Sequence, residues 1–221
     1  MSEIRKDFLD MSSRLRCGGN YEKTSITIHS TANEKSTAEN ERAWLDNINN
    51  KRNASWHYVI DEKSIIQALP DEEEAWHCGN TEGNRHSLSI EMCESGDRKA
   101  MADRAAAFVA EKLCEHSIEK ENIKQHFEWN QKNCPRILRD RKYVKNNIDW
   151  QYFVETVEKI LESDDEVIYN RVEEVPEWGK KTINKLIEKG YLAGDEKGNL
   201  KISEMAVKVL VVNDRAGLYE E

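Results

Sequence analysis

Residues 24–31 (TSITIHST) alternate polar and β-branched positions, the period of two that marks a strand, and this strand presents His29 near its end. Ser36 or Thr37 is suited to cap a helix over about 37–50, with Ala38, Trp44, Leu45 and Ile48 along one side. WHYVI (56–60) and SIIQALP (64–70) read as two further strands joined by the turn DEKS, a hairpin. The acidic run 71–74 reads as a solvated loop face. The Gly- and Asn-rich stretch AWHCGNTEGNRHS after it reads as a loop of the kind that carries function. SLSIEMCE (87–94) is the next strand, with Ile90 and Met92 on one face and Ser89, Glu91 and Cys93 on the other. Residues 98–116 predict an amphipathic helix rich in alanine and closed by Leu113 and Cys114. A last one spans 147–163 through Phe153, Val157, Ile160 and Leu161. The pattern predicts an α/β fold, a central mixed β-sheet flanked by helices.

The chain has 221 residues, room for one ordinary domain and a small second unit. The charge-rich break ESDDE sets the boundaries: a first domain over 1–161, a linker over 162–169 and a small, mainly helical domain over 170–221. In the latter, Pro176 opens a helix and Gly190 closes it. GDEKGN (194–199) is a turn, and a second helix from about 203 to 213 is apolar along Met205, Val207, Leu210 and Val211.

Composition narrows the function classes. Hydrophobic residues make up 38% and charged residues 34%, a polar but foldable chain. No apolar run approaches the ~20 residues of a membrane span, and the first residues lack the apolar core of a secretory signal, so no membrane partner is expected. The net charge is −9, of which residues 1–166 carry −8, and this argues against a nucleic-acid partner. Five cysteines, an odd number with no C-x-x-C pair, read as reduced thiols.

The chemistry concentrates in KQHFEWNQKNCPRIL (124–138), where His126 and Cys134 stand eight apart with a proline directly after. Imidazole nitrogen with thiolate sulfur suits Zn²⁺ best among common metals. The plain alternative is a packed thiol and a hydrogen-bonded loop histidine. His29, at the end of an apolar strand, is the best third ligand. Two histidines and a thiolate leave one position open, the catalytic rather than the structural pattern. Glu91 lies in an otherwise apolar strand, where a buried carboxylate is costly unless paired or used, and is a natural general base. Lys132 is suited to offer positive charge to a developing oxyanion.

SITIHST, the WHYVIDEKSIIQALP hairpin, AWHCGN, NRHSLSIEMCES and HFEWNQKNCPRIL, in this order and spacing, resemble the zinc-dependent N-acetylmuramoyl-L-alanine amidases of type 2, a family that includes peptidoglycan recognition proteins and many phage endolysins. The resemblance covers roughly residues 20–160. It implies one Zn²⁺ on His29, His126 and Cys134, Glu91 as the catalytic carboxylate, and Lys132 as the family's lysine. It also implies peptidoglycan as substrate, with His77 and Trp76 in the substrate groove. Trp56 stands where some members have a catalytic tyrosine, which throws the proton transfer more heavily onto Glu91; Trp56 and His57 are then groove-lining candidates, with a structural role as the alternative for His57. Cys78 and Cys93 read as packed thiols, and His116 as a helix-terminal residue without a functional role.

Residues 177–204 (EWGKKTINKLIEKGYLAGDEKGNLKISE) are similar to one S-layer-homology unit. This implies binding of a secondary cell-wall polymer through 170–221, completed by a homodimer; the alternative is a stabilising appendage. The expected function is a phage or prophage endolysin, made in the host bacterial cytoplasm and released to the wall at lysis. The alternatives are a host autolysin, a muropeptide-recycling amidase and a non-catalytic recognition module.

Overall fold

A computed structural model describes residues 3–163, 167–195 and 199–219. The chain divides into two compact units, Met1–Leu161 and Glu162–Glu221. In the first unit, strands β1 (Ile4–Lys6), β2 (Ser25–Ser30), β3 (Tyr58–Ile60), β4 (Ile65–Gln67), β5 (Ser87–Met92) and β6 (Ile123–Gln125) form one sheet in the order β1-β4-β3-β5-β2-β6. Only the β3–β4 hairpin is antiparallel; the other four pairings run parallel, so the sheet is mixed.

The alternation of side chains along parallel strands assigns the two faces. Ile26, Ile28, Ile90 and Met92 point to one face and pack with Met101, Ala105 and Phe108 of helix α3 (Arg98–Glu115). Phe153 and Val157 of helix α6 (Trp150–Ser163) join the same core. The alanines of α3 let the helix lie close against the β-branched strands. The other face is apolar only where Val59 and Ile66 meet Leu9, Leu15, Ala38 and Leu45. Over β2 and β5 that face carries Thr27, His29, Ser89 and Glu91, all in register. A polar strip inside a sheet is costly unless its groups find partners; here it holds His29 and Glu91, two of the expected site residues.

Several expectations are corrected. The run before residue 24, where no element is predicted, adds β1 to the hairpin edge and buries Leu9 and Leu15. Helix α1 spans only Ala38–Leu45, between a Thr37–Asn40 capping box and Asp46. Trp44 is 38% and Ile48 85% exposed, while Arg42 takes the inward position by donating to the Asp7 carbonyl and the Asp46 carboxylate. The acidic run is not a solvated face. Asp71 accepts from Tyr58, Gln67 and Lys112, Glu73 is buried against Arg16 at 2.6 Å, and Glu74 pairs with Arg85 at 3.0 Å. Asp71, Glu73 and Glu74 each meet a cation from another stretch of chain, which a local reading does not see, while Glu72 stays exposed. Cys114, in the last turn of α3, is exposed.

In the second unit β7 (Ile168–Tyr169) pairs antiparallel with β8 (Ile202–Ser203), so residues 168–169 of the expected linker are strand. Residues 164–166 of that linker and 196–198 of the expected turn lie outside the described residues, as does the side chain of Met205. Helices α7 (Glu177–Glu188) and α8 (Glu204–Arg215) cover the pair around Tyr169, Val175, Ile183, Ile202, Val207 and Val211. Gly179 makes the close helix contact possible: a Cβ there would lie 2.5 Å from Val207 Cγ1.

The early end of α1 is testable. Leu45→Ala is expected to cost about 2–5 kcal/mol in urea denaturation, whereas Ile48→Ala stays within about 0.5 kcal/mol. Equal costs would contradict the boundary.

Candidate active site

The polar strip ends in a cluster at the carboxyl ends of the parallel strands, the usual place for a site in such sheets. β2 pairs with β5 so that His29 stands beside Glu91. On the other side β6 pairs with β2 and runs directly into helix α4 (His126–Asn130), whose first residue is His126. The chain then turns back through Gln131, at φ 67°, and a cis Cys134–Pro135 peptide into helix α5 (Arg136–Arg139). The return brings Cys134 Sγ within 3.4 Å of the Ser30 amide and 3.8 Å of His29 Nδ1. One ligand atom from each of His29, His126 and Cys134 lies within 4.8 Å of the other two, and all three residues are buried. Glu91 Oε1 is 3.9 Å from His29 Nδ1.

A second layer fixes these groups. Arg136 grips Glu94 with two nitrogens, at 2.9 and 2.6 Å, and its amide donates to Ser30 Oγ at 3.1 Å. Glu94 also accepts from the Ala32 amide, so one buried carboxylate ties the Cys134 loop to the ends of β2 and β5. Asn130 accepts from the Lys132 amide and donates to the Cys78 carbonyl, with the same amide nitrogen 3.1 Å from His126 Nε2. His77, buried, lies with Nδ1 2.9 Å from His29 Nε2.

The electrostatics of the metal-free site follow from burial. Desolvation first, then His77, His126 and Lys132, hold His29 well below its ordinary pKa. Desolvation and Lys132 lower His126 to about 4, with the Cys78 carbonyl opposing. Both imidazoles are therefore neutral, the form that ligates metals. Burial pushes the Cys134 thiol up to about 12, with Glu91 adding to the rise. Burial raises Glu91 to about 8, aided by Glu41 and Glu94 and opposed by Lys132. Glu91 is 16% exposed, yet its Oε2 is buried without a hydrogen-bond partner among the described residues, as is His126 Nδ1. A cation bound among these groups would supply what they lack: a partner for His126 Nδ1 and a positive charge to draw the proton from Cys134. The residues thus fit a bound metal. A second group, Asp71, Glu115 and His116, has similar spacing, but Lys112 Nζ already sits 2.9 Å from Asp71 and 2.7 Å from Glu115.

Residues 20–137 match the N-acetylmuramoyl-L-alanine amidase family. The chain belongs to this family. Among its relatives is the N-acetylmuramoyl-L-alanine amidase CwlA of Bacillus subtilis, 37% identical over 139 residues, covering 59% of this chain and 50% of the relative. A mutant endolysin from Bacillus subtilis superposes with a TM-score of 0.64 at 32% identity, covering 71% of this chain and 99% of that one. The catalytic domain of XlyA superposes with a TM-score of 0.63 at 32% identity, covering 70% and 99%. The chain spans about half the length of the curated relatives it matches.

Within this amidase fold the expected site residues separate into two sets. His29, His126, Cys134 and Glu91 converge. Lys132 is exposed on the loop before Cys134, and its charge bears on all four. Trp76 is half-buried at the site's loop, with its amide on Ser55 Oγ. The three other groove-lining candidates are buried. His57 is fully buried, donating to the Glu73 carbonyl and accepting from the Ser89 amide, so it pins β3 to β5. Trp56 packs into the core beneath α1. His77 has both ring nitrogens engaged, by His29 and by the Gly83 carbonyl at 3.0 Å. Cys78 and Cys93 are buried, and burial raises both thiols. Sequence reading missed Glu94, Arg136, Asn130 and Glu41. For Arg136 the available signal was its place two residues after Cys134; for Glu94, a carboxylate just beyond a strand end.

The raised Glu91 carboxyl sets a pH dependence for the metal-free protein. Its folded pKa of about 8 exceeds the ordinary 4.5, so its stabilising share is complete below ~4.5 and is lost as pH rises toward 8. Glu91→Gln should therefore gain stability over the parent between pH 5 and 8.5, on the order of 3 kcal/mol by chemical denaturation after chelation. A constant difference across that range would contradict the buried, protonated carboxyl.

Proposed function

We propose that this chain hydrolyses the amide between N-acetylmuramic acid and L-alanine in peptidoglycan, with one Zn²⁺ held by His29, His126 and Cys134. Support comes above all from two neutral imidazoles and a thiol within 4.8 Å, beside a carboxylate that is no member of that group, in a chain of the amidase family. Nitrogen and sulfur donors together favour zinc over oxygen-seeking cations. When bound, zinc supplies Lewis acidity and lowers the pKa of water.

The chain's own residues account for the proton traffic. Glu91, on its strand beside His29, takes a proton from the attacking water and returns one to the leaving nitrogen; a carboxyl raised toward neutrality suits both duties. The hydroxyl joins the lactyl carbonyl carbon, the carbon–nitrogen bond breaks, and L-alanine leaves with a free amine. Lys132 stabilises the tetrahedral oxyanion. Trp76 is the remaining candidate for the groove wall. With Trp56 in the core, no residue of that position shares the proton transfer, and Glu91 carries it alone.

The endolysin relatives support a phage or prophage lytic role, in which the enzyme reaches the wall at host lysis. We assign wall targeting to the second unit, with a secondary cell-wall polymer as ligand and pairing with a second copy as the way a single unit completes its surface. Its likeness to one S-layer-homology unit and its own apolar core support this. Tethering to an insoluble substrate raises effective concentration without a new catalytic contact. Among the described residues no helix is long and apolar enough to cross a membrane.

Purified wall digested with the zinc-loaded chain should release amines without new reducing ends; reducing ends without amines would overturn the amidase reading. Glu91→Ala should lower kcat about 10²–10⁴-fold while zinc stays bound, and Cys134→Ser should lose zinc and activity together. Deleting residues 162–221 should slow digestion of intact wall but leave soluble muropeptides unaffected. Equal slowing on both would remove the targeting role.

A further inference from the structure

His77 resembles a substrate-facing histidine in sequence, yet it is buried behind His29. The two rings meet edge to face, and each His77 nitrogen has one neighbour. The neighbours differ in kind. Gly83 offers a carbonyl, which can only accept, so the His77 nitrogen facing it, Nε2, must carry hydrogen. A neutral imidazole has one N–H, so His77 Nδ1 is left with a lone pair. His29 Nε2 lies 2.9 Å from that lone pair and must therefore donate. His29 Nδ1 is then the lone-pair nitrogen, and it is the one that faces Cys134 Sγ at 3.8 Å and Glu91 at 3.9 Å.

The short helix α2 (Thr81–His86) holds the end of this relay. Asn80 caps it by accepting from the Gly83 amide, and Asn84 Oδ1 accepts from the amides of His77 and Cys78. Gly83 lets the helix approach: a Cβ there would lie 2.5 Å from Cys78 Sγ and about 3 Å from the Trp129 ring. The backbone carbonyl cannot exchange donor for acceptor, so the direction of the relay is fixed from its far end.

We propose that His77 is a positioning residue that locks His29 in the Nε2–H tautomer and thereby aims the Nδ1 lone pair at the metal position. The metal half of this inference rests on the zinc reading above; the tautomer half does not. Histidine ligands are commonly oriented by an acceptor at the other ring nitrogen, and losing it weakens metal binding about 10–100-fold.

The test uses the full chain, ¹⁵N-labelled, first metal-free and then with zinc. Long-range ¹H–¹⁵N correlation should show His29 and His77 both as Nε2–H tautomers before metal is added. His29 appearing as Nδ1–H in the metal-free chain would overturn the proposal. Zinc affinity, measured by chelator competition, should fall about 10–100-fold in His77→Leu, which removes the acceptor at similar volume. His77→Asn, whose side-chain oxygen stands near the former Nδ1, should restore affinity to within a few-fold of the parent. Parental affinity in His77→Leu would also overturn the proposal. A parent chain that binds no zinc yet shows the Nε2–H tautomer at His29 would sink the metal reading and leave the relay standing.

Discussion

The in-register parallel pairing of β2 with β5 is the constraint on which the site depends. It sets His29 beside Glu91 on the face opposite α3, because a strand's side chains alternate with a period of two. A one-residue slip of either strand would turn its site residue into the alanine-packed core and bring its isoleucine to the site face. The apolar residues of β2 and β5 therefore do two jobs. They build the core with α3, and by occupying that face they force the polar residues onto the other. The β6 pairing extends the same logic, since it delivers His126 at the mouth of a strand adjacent to β2.

Cys134 is held differently. No strand carries it; the Arg136–Glu94 pair and the Ser30 contacts pull its loop back over β2. Breaking such a buried pair leaves an uncompensated charge, so it specifies the loop's position more than it contributes net stability. The same low-dielectric surroundings explain the protonation pattern: neutral imidazoles, a thiol that keeps its proton and a carboxyl raised to about 8. Each departure is the response of a group deprived of water and not yet given a counter-charge. A divalent cation would reverse the balance, which is why the cluster could hold a metal ion.

Much of the fold was legible because it is written in short-range pattern. The alternation in 24–31 and 87–94 found both site strands and their faces, and the alanine-rich run found α3. His29, Glu91, His126 and Cys134 were nameable from residue type and position. What escaped was long-range. Asp71, Glu73 and Glu74 look solvated until Lys112, Arg16 and Arg85 arrive from elsewhere. Arg42 takes an inward place that Trp44 and Ile48 seemed to claim. His57 and His77 look like groove residues because histidine beside tryptophan suggests a binding surface; only the fold shows that backbone groups already occupy His57 and that His77 backs His29. The resemblance to a family named the chemistry, but it did not reveal which histidines face outward.

In the proposed function two histidine nitrogens and the Cys134 sulfur hold one metal ion, with Glu91 outside its coordination shell. X-ray absorption at the zinc edge on the zinc-loaded chain tests this directly. The expected shell has one sulfur at about 2.3 Å and two imidazole nitrogens at about 2.0–2.1 Å, with the sulfur lost in Cys134→Ser and the whole shell unchanged in Glu91→Gln. A shell without sulfur, a shell with two sulfurs, or one that changes in Glu91→Gln would contradict it.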